Sequence, residues 1–173
     1  MLWAYDNTPG VAANSPTDWP ADSRLTRAAD RPTLVVLVHP QCSCSRASLG
    51  ELAELLARTT QRPQTYVVFM KPFGVPQDWE KTTLWRTAAG LPDVTVLRDD
   101  NGMEATRFGA ITSGQTVLYD TAGALLFSGG ITGSRGHGGN NAGRASLLAL
   151  LNQEKPAQSW TSVFGCPLFT FSS

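Results

Sequence analysis

Three cysteines occur among the 173 residues, and two of them, Cys42 and Cys44, stand one serine apart in "HPQCSCSR". They lie where the apolar run "TLVVLVHP" gives way to "SLGELAELL", whose Leu49, Leu52, Leu55 and Leu56 fall at helical spacing. A sulfur at a helix N-terminus meets unsatisfied N–H groups and the positive end of the macrodipole, which favour thiolate over thiol. The thiolate is both the nucleophile of disulfide exchange and a soft metal ligand, so chemistry is expected at this corner. Cys42, nearer the turn, is expected to attack a disulfide, and Cys44 to resolve the mixed disulfide by closing a Cys42–Cys44 bond. That ring departs from relaxed disulfide geometry and should reduce easily, which suits oxidation or isomerisation better than strong reduction. Arg46 follows closely and supplies a cation. The competing reading, two cysteines serving as small core hydrophobes, accounts poorly for their serine neighbours. Cys166, set in apolar "SVFGCPLF", is by contrast expected to pack, with a bond to the corner as the lesser reading.

The rest of the chain must position that corner. At 18.6 kDa it is long enough to bury one sizeable core without disulfide or metal staples. Fourteen basic and fourteen acidic side chains cancel, and no stretch concentrates Lys and Arg, which excludes a phosphate-tracking surface and hence nucleic acid as a partner. No apolar run is long enough to span a membrane. "MLWAYDNTPGVAANSP" lacks the basic and apolar regions of a signal peptide. It reads as an extended lead-in rather than a helix, running to about Arg31, and equally as what remains after an anchor or signal is cut away. A monomer is expected.

"TLVVLVHP" predicts a strand buried on both faces, and Ser48 with Glu51 is placed as a capping box for the helix that follows. "TYVVFM" predicts a second buried strand, "VPQDWEKTTLWRTAAG" a helix entered after Pro76, and "DVTVLRD" a third strand. A short helical turn at "GMEATRFGA" precedes a hairpin of "QTVLYD" and "ALLFSGG" joined at "DTAG", and "RASLLALLNQ" predicts a last helix with Leu147, Leu148 and Leu151 on one stripe. This order describes an α/β fold with a central mixed sheet flanked by helices, a closing β-hairpin and a C-terminal helix. Residues 1–30 are then the lead-in, 31–152 the domain, and 153–173 a tail whose apolar residues predict packing on it.

Over residues 30–152 this arrangement resembles the thioredoxin-like superfamily, in which a buried strand runs into a cysteine at the mouth of the first helix. "HPQCSCSR", "SGGITGSRGHGGNNAGR" and "VFGCPL" look most like the RedB-type bacterial thioredoxin-like proteins. The resemblance implies that Cys42 takes the place of the nucleophilic cysteine. The usual second cysteine position is Ser45, and "AITSGQTVLYD" carries Gln115 near the place of the family's cis-proline. It further implies a redox partner protein or a small thiol or disulfide as substrate. It also implies a periplasmic or membrane-anchored extracytoplasmic location rather than a cytoplasmic one.

If the first hairpin strand is antiparallel to the cysteine-bearing strand, the second is parallel to it, so the loop after Gly129 and the loop "ITSG" both face the thiols. The expected substrate-binding residues are therefore Pro40, Gln41, Ser43, Ser45 and Arg46 at the corner and Thr112, Ser113, Gly114 and Gln115 at the hairpin entry. Arg135 and His137 join them from the glycine-rich loop. By composition that loop is equally a flexible surface connection, and it matches neither a P-loop nor a dinucleotide fingerprint. No cofactor is expected. The alternative is copper held by Cys42, Cys44 and His137, because thiolates with imidazole suit copper(I), whereas His39 reads as a strand-end histidine. A thiol peroxidase is a further alternative, with Arg135 as its arginine but without the threonine such sites place before the cysteine. A binding module with incidental thiols is the last.

Overall fold

The structure, a computed structural model, describes residues 2–169. Five strands form one sheet: β1 (Thr33–Val38), β2 (Gln64–Lys71), β3 (Val94–Asp100), β4 (Gln115–Tyr119) and β5 (Leu125–Gly129), in the order β3-β2-β1-β4-β5. β1 runs parallel to β2, with Val36 opposite Val67, and β2 parallel to β3. β4 is antiparallel to both β1 and β5, with Leu37 opposite Gln115. The predicted parallel core and closing hairpin are thus present, and the hairpin entry and the end of β5 lie at the edge where β1 ends.

Among the described residues five helices complete the fold: α1 (Leu2–Asp6), α2 (Ser45–Arg58), α3 (Thr83–Ala89), α4 (Met103–Arg107) and α5 (Ala142–Leu151). Because side chains alternate across a strand, β1 feeds two cores. Leu34, Val36 and Val38 pack with Leu49, Leu52 and Leu55 of α2, Leu84 of α3 and Leu147 and Leu151 of α5. Val35 and Leu37 face the other way, toward Tyr66, Val68, Ala105, Phe108, Tyr119 and Leu168. All six β1 residues are buried, as a strand covered on both faces requires. Each such Val or Leu contributes about 1.5–3 kcal/mol.

The lead-in adds Leu25 and Trp19 to this second layer. Trp19 stands edge-on to Phe108 and Tyr119, with ring centroids 5.1 and 5.3 Å away. The Tyr119 hydroxyl donates to the Pro16 carbonyl. Contrary to the sequence reading, the lead-in begins with a helical turn, α1, which Thr8 closes by donating to the Tyr5 and Ala4 carbonyls. The Arg135 amide also donates to Asp6 O, a partner remote in sequence.

The helix expected after Pro76 starts only at Thr83. Residues 76–82 instead form tight turns, with Asp78 at φ 63° and Lys81 N donating to Asp78 O. The turns carry Thr82 Oγ1 to the Pro40 carbonyl (2.9 Å) and set Trp79 edge-on to His39. A helix continuous from Pro76 would not take this path over the cysteine corner.

Candidate active site

Between β1 and α2 the chain makes successive turns: Cys42 N donates to His39 O, Ser45 N to Cys42 O, and Ala47 N to Cys44 O, each at 3.1 Å. Cys44 is the N-cap of α2 and no side chain caps the helix, so the expected Ser48–Glu51 box does not form. Helix formation begins three residues before Ser48, and the Glu51 carboxylate turns to the glycine-rich loop. It accepts hydrogen bonds from Gly139 N, Asn141 Nδ2 and Arg144 Nη1. Cys42 is 1% exposed and Cys44 8%.

The third cysteine arrives from the far end of the chain. The tail first joins β5, where Ser128 N donates to Ser159 O and Thr161 N to Ser128 O. It then crosses to the hairpin entry, where Ser113 N donates to Cys166 O and Leu168 N to Ile111 O, both at 2.8 Å, and Thr112 bridges Pro167 in antiparallel register. Gly165 permits this approach, since a Cβ there would collide with the Ser113 carbonyl. Cys166 Sγ thereby lies 2.8 Å from Cys42 Sγ, and Cys166 N donates to Cys42 Sγ at 3.3 Å. The sulfurs of Cys42, Cys44 and Cys166 all lie within 4.8 Å of one another. The expectation that Cys166 serves packing is corrected: it belongs to the thiol cluster.

Charge is divided unequally among the three. Hydrogen bonding from the Cys166 thiol, against the opposing effect of burial, brings the Cys42 thiol down to about 4, helped by the Cys166 amide and by the Ser45 hydroxyl and amide. Cys166 is pushed up by that same hydrogen bond, by burial and by the charge on Cys42. The pair is thus polarised toward a thiolate on Cys42 beside a thiol on Cys166. Burial and the Cys42 charge also raise Cys44, while Arg135 acts in the opposite direction. The cation facing the cluster is thus Arg135, whereas Arg46 is exposed at the rim. Burial lowers His39, the Cys42 charge opposing it, and its Nδ1 accepts the Gln41 amide, so the ring is the neutral strand-end histidine that was expected.

Pro40, Gln41, Ser43 and Arg46 line an open cavity of about 300 Å³ with Cys42, Thr82, Thr83 and Leu84. The last three were not foreseen, because their segment was read as regular helix. Ser45 and Ser113 meet through their hydroxyls at 2.7 Å, and Ser113 Oγ accepts the His39 amide. Gly114 N donates to Leu37 O and extends the ladder. Thr112 Oγ1 donates to Val11 O, and Gln115 is buried with its Nε2 donating to Ser128 Oγ. The hairpin entry is therefore covered by the chain's own ends. Arg135 donates to Thr8 O and Gly165 O and lies over the Tyr5 ring. His137 is exposed, its Nδ1 2.6 Å from Arg135 O, and is not part of the sulfur group. The structure brings Cys166, not His137, to the cysteine pair.

No family profile matches the chain, and no curated protein matches it. Solved structures do. An uncharacterized conserved protein from Geobacillus kaustophilus is 18% identical with a TM-score of 0.67, over 96% of this chain and 94% of that one. A hypothetical protein from Sinorhizobium meliloti 1021 is 20% identical with a TM-score of 0.59, over 93% of each chain. The exposed lipoprotein thioredoxin of Streptococcus pneumoniae strain TIGR4 is 17% identical with a TM-score of 0.51, over 72% of this chain and 86% of that one. The mixed five-stranded sheet with its flanking helices is the thioredoxin-like α/β fold.

Proposed function

We propose that the protein is a thiol–disulfide oxidoreductase in which Cys42 is the attacking sulfur. The observation that carries this reading is the Cys42 sulfur at the strand-to-helix corner, 2.8 Å from the Cys166 sulfur and accepting the Cys166 amide at 3.3 Å. A protein disulfide or small disulfide enters along the cavity of Pro40, Arg46 and Thr82, and Cys42 attacks it to give a mixed disulfide and a released thiolate. Cys44 and Cys166 both stand within reach to complete the exchange. We place the protein on the extracytoplasmic side of a bacterial membrane, as the exposed pneumococcal lipoprotein of like fold suggests, and take it to act as a monomer. Among the described residues no helix is long and apolar enough to cross a membrane. Cys42→Ser should abolish turnover in an insulin-reduction or small-disulfide exchange assay; full activity in that variant would sink the reading.

The sulfur cluster also favours a second reading, capture of a soft cation. Three cysteine sulfurs converging within 4.8 Å suit copper(I) or zinc better than two cysteines and an imidazole from a surface loop. Anaerobic titration of the reduced protein with copper(I) decides it. Tight stoichiometric binding, lost in Cys166→Ser and kept in His137→Ala, is the outcome for this reading, and absence of binding removes it.

A further inference from the structure

Resting on the oxidoreductase reading, we propose that Cys166 is the resolving thiol, so that the redox couple is Cys42–Cys166, a pair 124 residues apart, rather than Cys42–Cys44. The tail is built to present that sulfur. On both sides of Cys166 the backbone is fixed by partners remote in sequence: Val163 O accepts Gly10 N, Gly165 O accepts Arg135 Nη1, Cys166 O accepts Ser113 N, and Leu168 N reaches Ile111 O. Val163 and Leu168 are buried at 5% and 1% exposure, which seats the segment from either side. Held so, the Cys166 side chain meets Cys42 Sγ at 2.8 Å. Both cysteines are free in the structure.

Cys44 is placed differently. It is one residue from Cys42, within turns whose Ser45 N to Cys42 O and Ala47 N to Cys44 O bonds hold the corner, and a disulfide across a single residue departs from relaxed geometry. Arg135 faces its thiol. A Cys42–Cys166 bond joins two segments already paired through Ser113 and leaves the corner turns intact.

The exchange balances as follows. The Cys42 thiolate attacks one sulfur of a partner disulfide; the partner S–S bond breaks, the Cys42–partner S–S bond forms, and one partner thiolate leaves. Cys166 gives its proton to that leaving thiolate or to water and attacks Cys42 Sγ. The Cys42–Cys166 bond forms, the mixed disulfide breaks, and the second partner thiolate departs. The partner disulfide has gained two electrons and the cysteine pair has lost them, and the reverse steps oxidise a partner dithiol.

The test uses the full chain and an aromatic disulfide whose thiolate absorbs visible light. The unsubstituted protein should release both aryl thiolates in its burst. Cys166→Ser should release only the first and keep the aryl group on Cys42. Tryptic cleavage after Arg46 and Arg144 leaves Cys42 and Cys44 on one peptide and Cys166 on another. Non-reducing mass mapping of the oxidised, unsubstituted chain should therefore find the two peptides joined, with Cys44 open to alkylation, a readout that needs no variant to fold. Joined peptides should also form in Cys44→Ser. A single dehydrogenated peptide carrying both corner cysteines, or a second release from Cys166→Ser at the unsubstituted rate, overturns the assignment. Turnover by Cys42→Ser would instead overturn the oxidoreductase reading itself.

Discussion

Glu51→Ala should cost the folded chain about 3–5 kcal/mol, the range for removing one partner of a buried ion pair and leaving the other uncompensated. Glu51 and Arg144 are 4% and 9% exposed, and their closest N–O separation is 2.5 Å. The carboxylate does more than balance a charge. Its Oε1 accepts Gly139 N, its Oε2 accepts Asn141 Nδ2, and Asn141 in turn caps α5 by accepting Arg144 N at 2.8 Å. Arg144 Nη2 reaches back to Asn140 Oδ1. One anion thus ties α2, the glycine-rich loop and the start of α5 together, and Arg135 on that loop is held near the sulfur cluster. For a domain whose whole stability is of the order of 5–15 kcal/mol, the loss is large and readable as a lowered urea midpoint. The double variant Glu51→Leu with Arg144→Met should recover much of the loss, because an apolar pair carries no stranded charge. A cost of about 1 kcal/mol or less for Glu51→Ala, the range of a surface pair, would mean the loop is not held this way.

That carboxylate also shows where sequence reading reaches its limit. The residues Ser48-Leu49-Gly50-Glu51 satisfy a local capping pattern, and nothing local indicates that Glu51 will instead bond groups 88 to 93 positions further on. β1, the turn into α2, the parallel pair and the hairpin were legible, because each is written in the alternation, apolar runs and turn residues of its own segment. The placement of Arg135 toward the thiols followed from strand directions alone. The α3 start was not legible: Pro76 and the residues after it suit a helix, and only the docking of Thr82 on Pro40 and of Trp79 on His39 selects turns. Cys166 was misread for a related reason. "SVFGCPLF" has core composition, and Val163 and Leu168 are indeed buried, but the intervening residues pair by backbone with Ile111–Ser113. The one available signal was Gly165 followed by Cys166 and Pro167, a point of close approach ahead of a residue that cannot donate a ladder hydrogen bond.

At neutral pH the reduced protein should show the ultraviolet absorbance of a thiolate, lost on acidification with a midpoint near 4. Absorbance is the suitable measurement because Cys42 is 1% exposed and alkylation would report tail opening as much as ionisation. Cys166→Ala removes the donor that contributes most. A hydrogen bond to a charged group is worth about 1.5–3 kcal/mol, so the midpoint should rise by about one to two pH units. Cys166→Ser keeps a hydroxyl donor and should move it less. The same groups impose a pH dependence on folding. Cys42 titrates lower in the folded chain than the unfolded value of about 8.5, so its contribution is complete above that value and lost as pH falls toward 4. Cys166 titrates higher when folded, so its contribution is complete below about 8.5 and turns into a loss above it. Stability of the reduced protein should therefore climb from acid toward pH 8.5 and fall beyond, and Cys42→Ser should flatten the climb. If the absorbance midpoint in Cys166→Ala stays where it is in the unsubstituted protein, the corner turn alone holds the thiolate. The tail would then lose its claim to prepare Cys42 for attack.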